Sequence, residues 1–395
     1  MTAPPRSALL RPLALGLVAT AASRLAAAAL FPTLPHWDGF FYHQHAARLA
    51  AGLGYADLAT GRPTAFYPIG YAFALSLPLR LGLPAFAAVV AINLIASLAA
   101  TAAVVTVAAR AHDPRATLRA ALAAALYPGL ALWSCAAMSE SLTAALLVVA
   151  LALATHAAPR ARHTLAAGVL LGLATLLRPP SLLVLGAVAA AAPVGRRARA
   201  VALAALAAGC VLAPWAVRNT RALDAPALVS TNAGSNLLIG TLDDAHGAYL
   251  RPSPRYGCQN LHGEVDRDRC LRSAALRRIA AAPLRWIALG GAKLAVTFAW
   301  EHDPASYVRD ANTPLRTDRR ALGLAALCTL AWWALLVFAW RGRRAGDPTT
   351  RAVGVTTAAI ALTHFIFLGA DRYHLVLAPT LLLLATRSPS IRAPA

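Results

Sequence analysis

A single carboxylate follows the first long apolar segment of the chain, in the stretch HWDGFFYHQHAARLAAGLGY at residues 36–55. An exposed aspartate at position 38, beside the membrane, could reach a substrate, because ionisable residues at membrane spans are costly and so indicate function. Asp38 could instead cap the helix that the next residues predict, with Gly52 at its other end. At helical spacing Asp38, Tyr42 and His45 share one face, so Tyr42 and His45 are predicted to line the same substrate site.

A second carboxylate, Glu140 in the stretch MSESL, is predicted at the first turn of another helix. A negative charge there would complement the helix dipole, so Glu140 could serve as a cap. Ser139 can already cap this helix, however, and a carboxylate beside the hydrocarbon of a membrane is costly. We favour a catalytic role for Glu140 over a capping role.

Two arginines occur at breaks between apolar segments, where an anion could bind. Arg178 lies in LLRPPSLL, and its two prolines predict the start of a helix with unpaired amides. Arg218 ends the stretch APWAVRN, with Asn219 beside it. A guanidinium suits a phosphate because it can donate two parallel hydrogen bonds. Arg178, Arg218 and Asn219 are therefore predicted to bind substrate, and contact with lipid headgroups is the alternative for both arginines.

The elements that position these groups are predicted to be membrane helices. The chain has 395 residues, of which 58% are hydrophobic and 13% charged, about half the charged fraction of a soluble domain. Apolar segments of about 17–25 residues recur, each long enough to span a bilayer. We predict an all-α polytopic membrane protein, a single domain over residues 1–395 with about ten spans. These spans are residues 9–31, 85–109, 118–136, 139–156, 164–177, 181–194, 200–217, 321–340, 352–370 and 373–387. The first is interpreted as a retained anchor.

The arginines orient this topology, because they cluster in five short loops that the positive-inside rule places in the cytoplasm together with both termini. The opposite side then collects ionisable residues at span ends, where charge is costly and so indicates function. These are Asp38, Glu140, Arg178, Arg218, Asp371 and Arg372. Arg372 and its neighbour Tyr373 are predicted to bind substrate. The topology predicts a polar cavity that opens to the periplasmic side of the inner, cytoplasmic membrane.

Two large extracytoplasmic regions are predicted, at residues 32–84 and 218–285. Interfacial helices are expected in the first and fourth extracytoplasmic loops. Segment 66–83 is interrupted by prolines and an arginine, and segment 286–300 is short and contains Lys293. Both are interpreted as interfacial, with an eleventh span as the alternative for 286–300.

The cysteines, the histidines and the net charge indicate whether a disulfide, a metal ion or nucleic acid is expected. Cys258 and Cys270 share the second large region, so they can form a disulfide in an oxidising compartment, and the sequence leaves this open. His43 and His45 point to nearly opposite faces of a helix, which disfavours a zinc site. No metal ligands or cofactor are assigned, and a divalent cation is left open. The net charge of +21 is spread over many loops rather than one face, so nucleic acid is not a predicted partner.

Several stretches, in order, resemble the GT-C polytopic membrane glycosyltransferases, in particular bacterial relatives of protein O-mannosyltransferases and the lipid A aminoarabinose transferase. The similarity covers nearly the whole chain. It rests on the 36–55 stretch, FYPIGYAFALSL, MSESL, LLRPPSLL, DRYHLVLAP, and PWAVRN followed by STNAGSNLLIGT. The acid beside the first span and the last of these stretches are the most specific.

The resemblance implies an inverting transfer of a hexose or pentose, outside the membrane, from a polyisoprenoid-phosphate donor to the hydroxyl of a glycan, a lipid or a protein. By position, it implies that Asp38 is the catalytic base, Glu140 a second acid, and Arg178 and Arg218 the cations that hold the lipid phosphate. Two features depart from the relatives. Gly39 replaces the glutamate of the usual Asp-Glu pair, and Arg178 stands where the aminoarabinose enzyme has a lysine.

Two other functions remain open from the sequence. A non-catalytic carrier or transporter of polyprenyl-phosphate lipids would use the same arginines and need Asp38 only as a cap. A polymerase or ligase of preassembled glycans would differ chiefly in its acceptor. An internal repeat, which marks many transporters, is not visible in the sequence.

Overall fold

The regular secondary structure in the described part of the protein is helical. The computed structural model describes residues 6–156, 160–251, 258–261, 263–312 and 319–387. Within these ranges there is no β-strand, and one isolated bridge pairs Ala56 with Pro63. The prediction of an all-α fold is confirmed. The predicted cytoplasmic placement of the termini concerns in part residues 1–5 and 388–395, which lie outside the described ranges.

The α-helices follow one another along the chain, and most are separated by short turns. The first nine are α1 (Arg6–Leu30), α2 (Asp38–Ala50), α3 (Ile69–Arg80), α4 (Ala85–Ala109), α5 (Pro114–Leu126), α6 (Pro128–Trp133), α7 (Glu140–Ala154), α8 (Ala161–Leu177) and α9 (Leu185–Ala191). The others are α10 (Arg197–Ala222), α11 (Ala233–Ile239), α12 (Glu264–Ala281), α13 (Pro283–Phe298), α14 (Asp303–Ala311), α15 (Arg320–Arg341), α16 (Pro348–Ile366) and α17 (Ala378–Ala385).

Among the described helices, four are each long and apolar enough to cross a membrane alone: α1, α4, α15, and α10 with the short turn before it. Proline divides several other predicted spans. The predicted span at 118–136 consists of α5 and α6, because Tyr127 is extended before Pro128 and ends α5. The predicted spans at 181–194 and 373–387 each combine a 3₁₀ segment with a short helix. Helices occupy all ten predicted spans, but several are short or broken.

The two segments interpreted as interfacial form short helices. The 12 residues of α3 extend about 18 Å, less than the roughly 30 Å of a hydrocarbon core. The other segment is α13, which bends by 109° from the charged helix α12. Its Lys293 is fully buried, and Nζ donates to the carbonyl oxygen of Ile366 at 3.0 Å. This lysine therefore caps the C-terminal end of α16, where a positive charge is favourable.

Small residues and one buried arginine hold the apolar helices together. A Cβ atom at Gly168 of α8 would lie 2.3 Å from the carbonyl oxygen of Ala204 on α10, an approach that small residues allow in membrane helices. Arg24 of α1 is also buried, and it donates to the carbonyl oxygens of Ala124 at 3.1 Å and Ala125 at 2.5 Å. Because these carbonyls end α5, the dipole of α5 stabilises the charge of Arg24.

The two large regions predicted outside the membrane contact each other through Glu264, the first residue of α12. Its carboxylate accepts hydrogen bonds from the Thr64 hydroxyl at 2.7 Å, the Ala65 amide at 2.6 Å and the Thr231 hydroxyl at 3.0 Å. Residues of both regions, 32–84 and 218–285, therefore share one acceptor. Glu264 fixes the two regions to each other.

Replacing Glu264 with alanine should destabilise the contact between these regions. Hydrogen bonds to a charged group contribute about 1.5–3 kcal/mol each, so we expect Glu264→Ala to lower the melting temperature of the purified protein in detergent. Asp266→Ala is the matched control, since Asp266 lies on the same helix and its side chain is 65% exposed. Equal melting temperatures of the two variants would contradict this role of Glu264.

Candidate functional site

Four charged side chains meet where separate helices begin or end. Asp38 is the first residue of α2, Glu140 is the first residue of α7, and Arg178 directly follows α8. Arg372 lies in the 3₁₀ segment Asp371–Leu377, between α16 and α17. The sequence places all four on the same side of the membrane, and the structure brings their charged groups together.

Two ion pairs form this cluster, which we call the charged quartet: Asp38, Glu140, Arg178 and Arg372. The Arg372 guanidinium donates to Oδ2 of Asp38 at 2.8 Å, and the Arg178 guanidinium donates to Oε1 of Glu140 at 2.8 Å. Nε of Arg372 lies 3.9 Å from the same Oε1 atom of Glu140. Arg372 thus links the two pairs, and the quartet balances two negative with two positive charges.

Exposure differs strongly between the four side chains. Glu140 is 1% exposed, Arg372 14%, Arg178 20% and Asp38 35%. Glu140 therefore lies at the bottom of the site and Asp38 at its opening. Oε2 of Glu140 is buried and has no hydrogen-bond partner among the described residues. A buried acceptor without a partner can receive a hydrogen bond from a ligand hydroxyl.

The start of α2 directs Asp38 toward the site rather than toward its own helix. Trp37, which precedes it, has a φ of 51°, a conformation that costs a residue other than glycine about 1–3 kcal/mol. The described hydrogen bonds of the Asp38 carboxylate go to Arg372 and none to an amide of α2. The geometry thus favours a site role for Asp38 over the helix cap.

The backbone at Gly39 is too tightly packed to carry a side chain. A Cβ atom at this position would lie 2.7 Å from the carbonyl oxygen of Ala137 and 3.1 Å from the hydroxyl of Tyr307. These contacts leave no room for the glutamate that follows the aspartate in protein O-mannosyltransferases. The second acid of this site, Glu140, comes from a different helix.

Aromatic rings surround the arginines. The Arg178 guanidinium lies 4.8 Å and the Arg372 guanidinium 5.2 Å from the ring centre of Tyr373, distances at which a ring attracts a cation. Tyr373 in turn stacks on the buried ring of His364 at 4.3 Å. Tyr42, one turn after Asp38, is buried against Tyr67 and other aromatic rings. The predicted residues Tyr42, Arg372 and Tyr373 therefore lie at or beside the quartet.

Asp371, which the sequence singled out, and three residues that it did not, His302, Asp303 and Glu301, anchor the segment around Arg372. The carboxylate of Asp371 accepts the amide of His302 at 2.6 Å and that of Asp303 at 3.1 Å. The ring of His374 contacts the buried Glu301 carboxylate at 3.0 Å. These two contacts fix the residues on both sides of Arg372 and Tyr373. The run of ionisable residues EHD at 301–303, after an apolar helix, was the available signal.

Arg218 and Asn219 lie outside the quartet. The Arg218 guanidinium donates to the carbonyl oxygens of Thr64 at 2.6 Å and Tyr55 at 2.5 Å, and to the Asn219 side chain at 3.1 Å. Asn219 is fully buried. Arg218 therefore connects α10 to residues 55–64, whereas the Asn219 amide donates to the carbonyl oxygen of Val229.

The other predicted residues are also placed apart from the quartet. His45 is buried and stacks on Tyr55 at 4.5 Å. Cys258 and Cys270 are joined by a disulfide that ties α12 to the turn before it. The backbone amides after Arg178 were predicted to be free for an anion. The amide of Ser181 instead donates to the carbonyl oxygen of Arg178, so the group that can bind an anionic ligand here is the Arg178 side chain.

One group of side chains within the described ranges has the spacing of metal ligands. Donor atoms of His302, Asp303 and Asp371 all lie within 4.8 Å of one another. The Asp371 carboxylate already accepts two amides at the start of α14, which occupy lone pairs that a metal ion would need. Nδ1 of His302 lies 2.9 Å from Asp371. We interpret the group as an ion pair that caps α14.

Comparisons with known proteins give backbone similarity only. No protein-family model and no curated protein sequence matches the chain. Two solved structures are similar: ArnT from Cupriavidus metallidurans bound to undecaprenyl phosphate, with a TM-score of 0.45, and the same protein in the apo state, with 0.44. Each alignment has 16% sequence identity and covers 92% of this chain and 77% of that chain. ArnT is a lipid A aminoarabinose transferase of the GT-C fold.

The ion pair of His302 with Asp371 should make stability depend on pH. Hydrogen bonds to Asp303 and Asp371 raise the pKa of His302 to about 10, above its ordinary value of about 6.5. Its stabilising contribution is then complete below about pH 6.5 and is lost as the pH rises toward about 10. We expect the melting temperature to fall over this range more steeply for the wild type than for His302→Gln.

The control is His246→Gln, because His246 is an exposed histidine of the second large region. It should retain the wild-type dependence on pH. Parallel melting profiles for the wild type and His302→Gln would show that the ion pair contributes nothing.

Proposed function

We propose that the protein is an inverting glycosyltransferase. It moves a sugar from a polyisoprenoid-phosphate donor to an acceptor hydroxyl at the extracytoplasmic face of the membrane. The observation that carries this proposal is the charged quartet: a partly exposed carboxylate lies in the same cluster as two arginines and a second, buried acid. The donor class comes from the motif resemblance.

Asp38 is the proposed catalytic base. Its Oδ2 atom is held by Arg372, and Oδ1 accepts no hydrogen bond from the described residues. In a direct inversion the acceptor oxygen attacks the anomeric carbon while Asp38 takes the hydroxyl proton, and the phosphate departs with the electrons of the glycosidic bond. The ion pair with Arg372 orients the carboxylate before the acceptor arrives.

Arg178 and Arg372 are the proposed cations for the leaving phosphate. Negative charge grows on that phosphate as the glycosidic bond breaks, so positive groups nearby stabilise the transition state more than the ground state. A guanidinium has five N–H donors, and Arg178 donates one of them to Glu140. The remaining donors can bind a phosphate without breaking the ion pair.

Glu140 is the proposed second acid of the site. Its Oε2 atom is buried without a partner among the described residues, so it can accept a hydrogen bond from a hydroxyl of the donor sugar. A sugar held at the bottom of the site would leave its anomeric carbon between Asp38 and the arginines. The acceptor would enter from the opening, where Asp38 is exposed.

The first prediction for this function concerns the base. Asp38→Asn keeps the size of the side chain but cannot take a proton, so we expect sugar transfer to membrane acceptors to fall by at least about a hundredfold, with the melting temperature close to that of the wild type. Each variant is supplied to membranes from a strain that lacks the gene, and transfer is measured as the amount of lipid-linked sugar consumed.

Asp57→Asn is the control, because Asp57 lies in the same extracytoplasmic region and bonds Thr60 instead of the quartet. It should transfer at the wild-type rate. Full activity in Asp38→Asn would remove the base role and favour a carrier of the lipid.

The second prediction distinguishes the phosphate-binding role of Arg178 from the structural role of Arg218. Since a hydrogen bond to a charged group contributes about 1.5–3 kcal/mol, Arg178→Gln should weaken binding of a polyisoprenyl phosphate by about tenfold or more. Arg218→Gln should lower the melting temperature instead, because it leaves two backbone carbonyls without a donor. Binding is titrated with folded protein in detergent. Unchanged affinity in Arg178→Gln would refute its phosphate role.

A further inference from the structure

A second cleft lies between α9, α10 and α16. It is a shallow, open depression with a volume of about 530 Å³, lined by Ala189, Ala190, Arg197, Arg351, Gly354 and Val355. This volume falls in the range of sites for small ligands, about 300–1,000 Å³. Small apolar residues form its walls, and the side chains of two arginines are its charged groups.

The cleft is remote from the charged quartet. Arg351 lies in the first turn of α16, whereas Arg372 follows the other end of this helix. The helix between Arg351 and Ile366 rises about 22 Å. In the same way, Arg178 precedes α9 and Ala190 lies near its far end. The cleft therefore opens at the opposite end of the helices, and the proposed transfer reaction does not use it.

The two arginines of the cleft have no acidic partner in the described part of the chain. Arg197 is exposed, and neither it nor Arg351 forms an ion pair with a described carboxylate. Arg351 is held in place because its guanidinium donates to the carbonyl oxygen of Ala190 at 2.8 Å and to that of Gly346. The nearby Asp347 is paired with Arg387 at 2.8 Å. The cleft therefore presents a net positive charge above apolar walls.

This combination matches one kind of ligand. A lipid phosphate can accept hydrogen bonds from both guanidinium groups, and an acyl chain can lie along the alanine and glycine wall. A Cβ atom at Gly354 would have no neighbour within 4 Å, so the space beside this glycine is open. Basic pockets between membrane helices bind anionic headgroups in this manner.

We propose that the cleft binds an anionic phospholipid of the membrane leaflet opposite the charged quartet. The phosphate lies between Arg197 and Arg351, and one acyl chain passes Gly354 and Val355. The positive-inside rule places this arginine-rich end in the cytoplasmic leaflet, where anionic phospholipids are abundant. That location favours a phospholipid over the polyisoprenyl-phosphate donor, whose phosphate is assigned to the quartet.

The test is native mass spectrometry of the full chain in detergent, titrated with phosphatidylglycerol and, separately, with phosphatidylcholine. The wild type should retain phosphatidylglycerol preferentially. An arginine near a membrane surface changes lipid affinity about fivefold, so Arg197→Gln with Arg351→Gln should weaken this binding about twentyfold. Arg162→Gln is the control, since Arg162 is an exposed arginine in the first turn of α8.

A second variant tests the cleft without changing Arg351 or its hydrogen bonds. Gly354→Leu fills the cleft and keeps both charges, so it should also reduce retention of phosphatidylglycerol. Gly323→Leu is its match, because a Cβ atom at Gly323 likewise has no neighbour within 4 Å, and it should bind lipid as the wild type does. Equal retention of both phospholipids, or equal losses in variants and controls, would overturn the proposal.

A polyisoprenyl phosphate titrated in the same way distinguishes the two lipid classes. Weaker polyisoprenyl-phosphate binding in Gly354→Leu, with phosphatidylglycerol binding unchanged, would also overturn the proposal. The outcome for Asp38→Asn does not bear on this cleft, because the two sites lie at opposite ends of the helices.

Discussion

The contact of Arg372 with Asp38 determines how the rest of the site is arranged. An unpaired charge at the end of an apolar helix is costly. Asp38, Glu140, Arg178 and Arg372 therefore have to be positioned together, although they belong to four separate parts of the chain. Arg372 lies within reach of both acids. Its position relates the start of α2 to the start of α7 and to the end of α8.

That position is itself enforced by buried polar contacts on either side. Asp371 accepts the amides at the start of α14, and His374 contacts the buried Glu301 carboxylate. The hydroxyl of Tyr127 also donates to Glu301, at 2.7 Å, so α6 is connected to the same anchor. A site that stabilises developing charge works best when its groups need no rearrangement. These contacts give Arg372 and Tyr373 such a fixed arrangement before any substrate binds.

Much of the fold, and the convergence of the quartet, could be predicted because both follow from hydrophobicity and charge. Apolar length predicted helices in the ten segments where the structure has them, four of which are long enough to span a membrane alone, and the sidedness of the arginines predicted Asp38, Glu140, Arg178 and Arg372 on one face. Pairwise contacts could not be predicted in this way. Arg218 has the same sequence context as Arg178, a charge at the end of an apolar run, yet it binds carbonyl oxygens of Tyr55 and Thr64. The partners of Arg218 depend on where the loop of residues 55–64 folds back, and no local sequence pattern determines this.

The segment between α6 and α7 both excludes an acidic side chain at position 39 and leads into Glu140. The carbonyl of Ala137 lies so close to Gly39 that a side chain after Asp38 would collide with it. A glutamate at position 39 is therefore excluded by the same segment that supplies Glu140 three residues later. Since Tyr307 also contacts the amide of Ala137, at 3.3 Å, this segment cannot withdraw without breaking the packing of α14. The second acid of the site comes instead from α7, where Arg178 pairs with Glu140 and leaves the Asp38 carboxylate to Arg372.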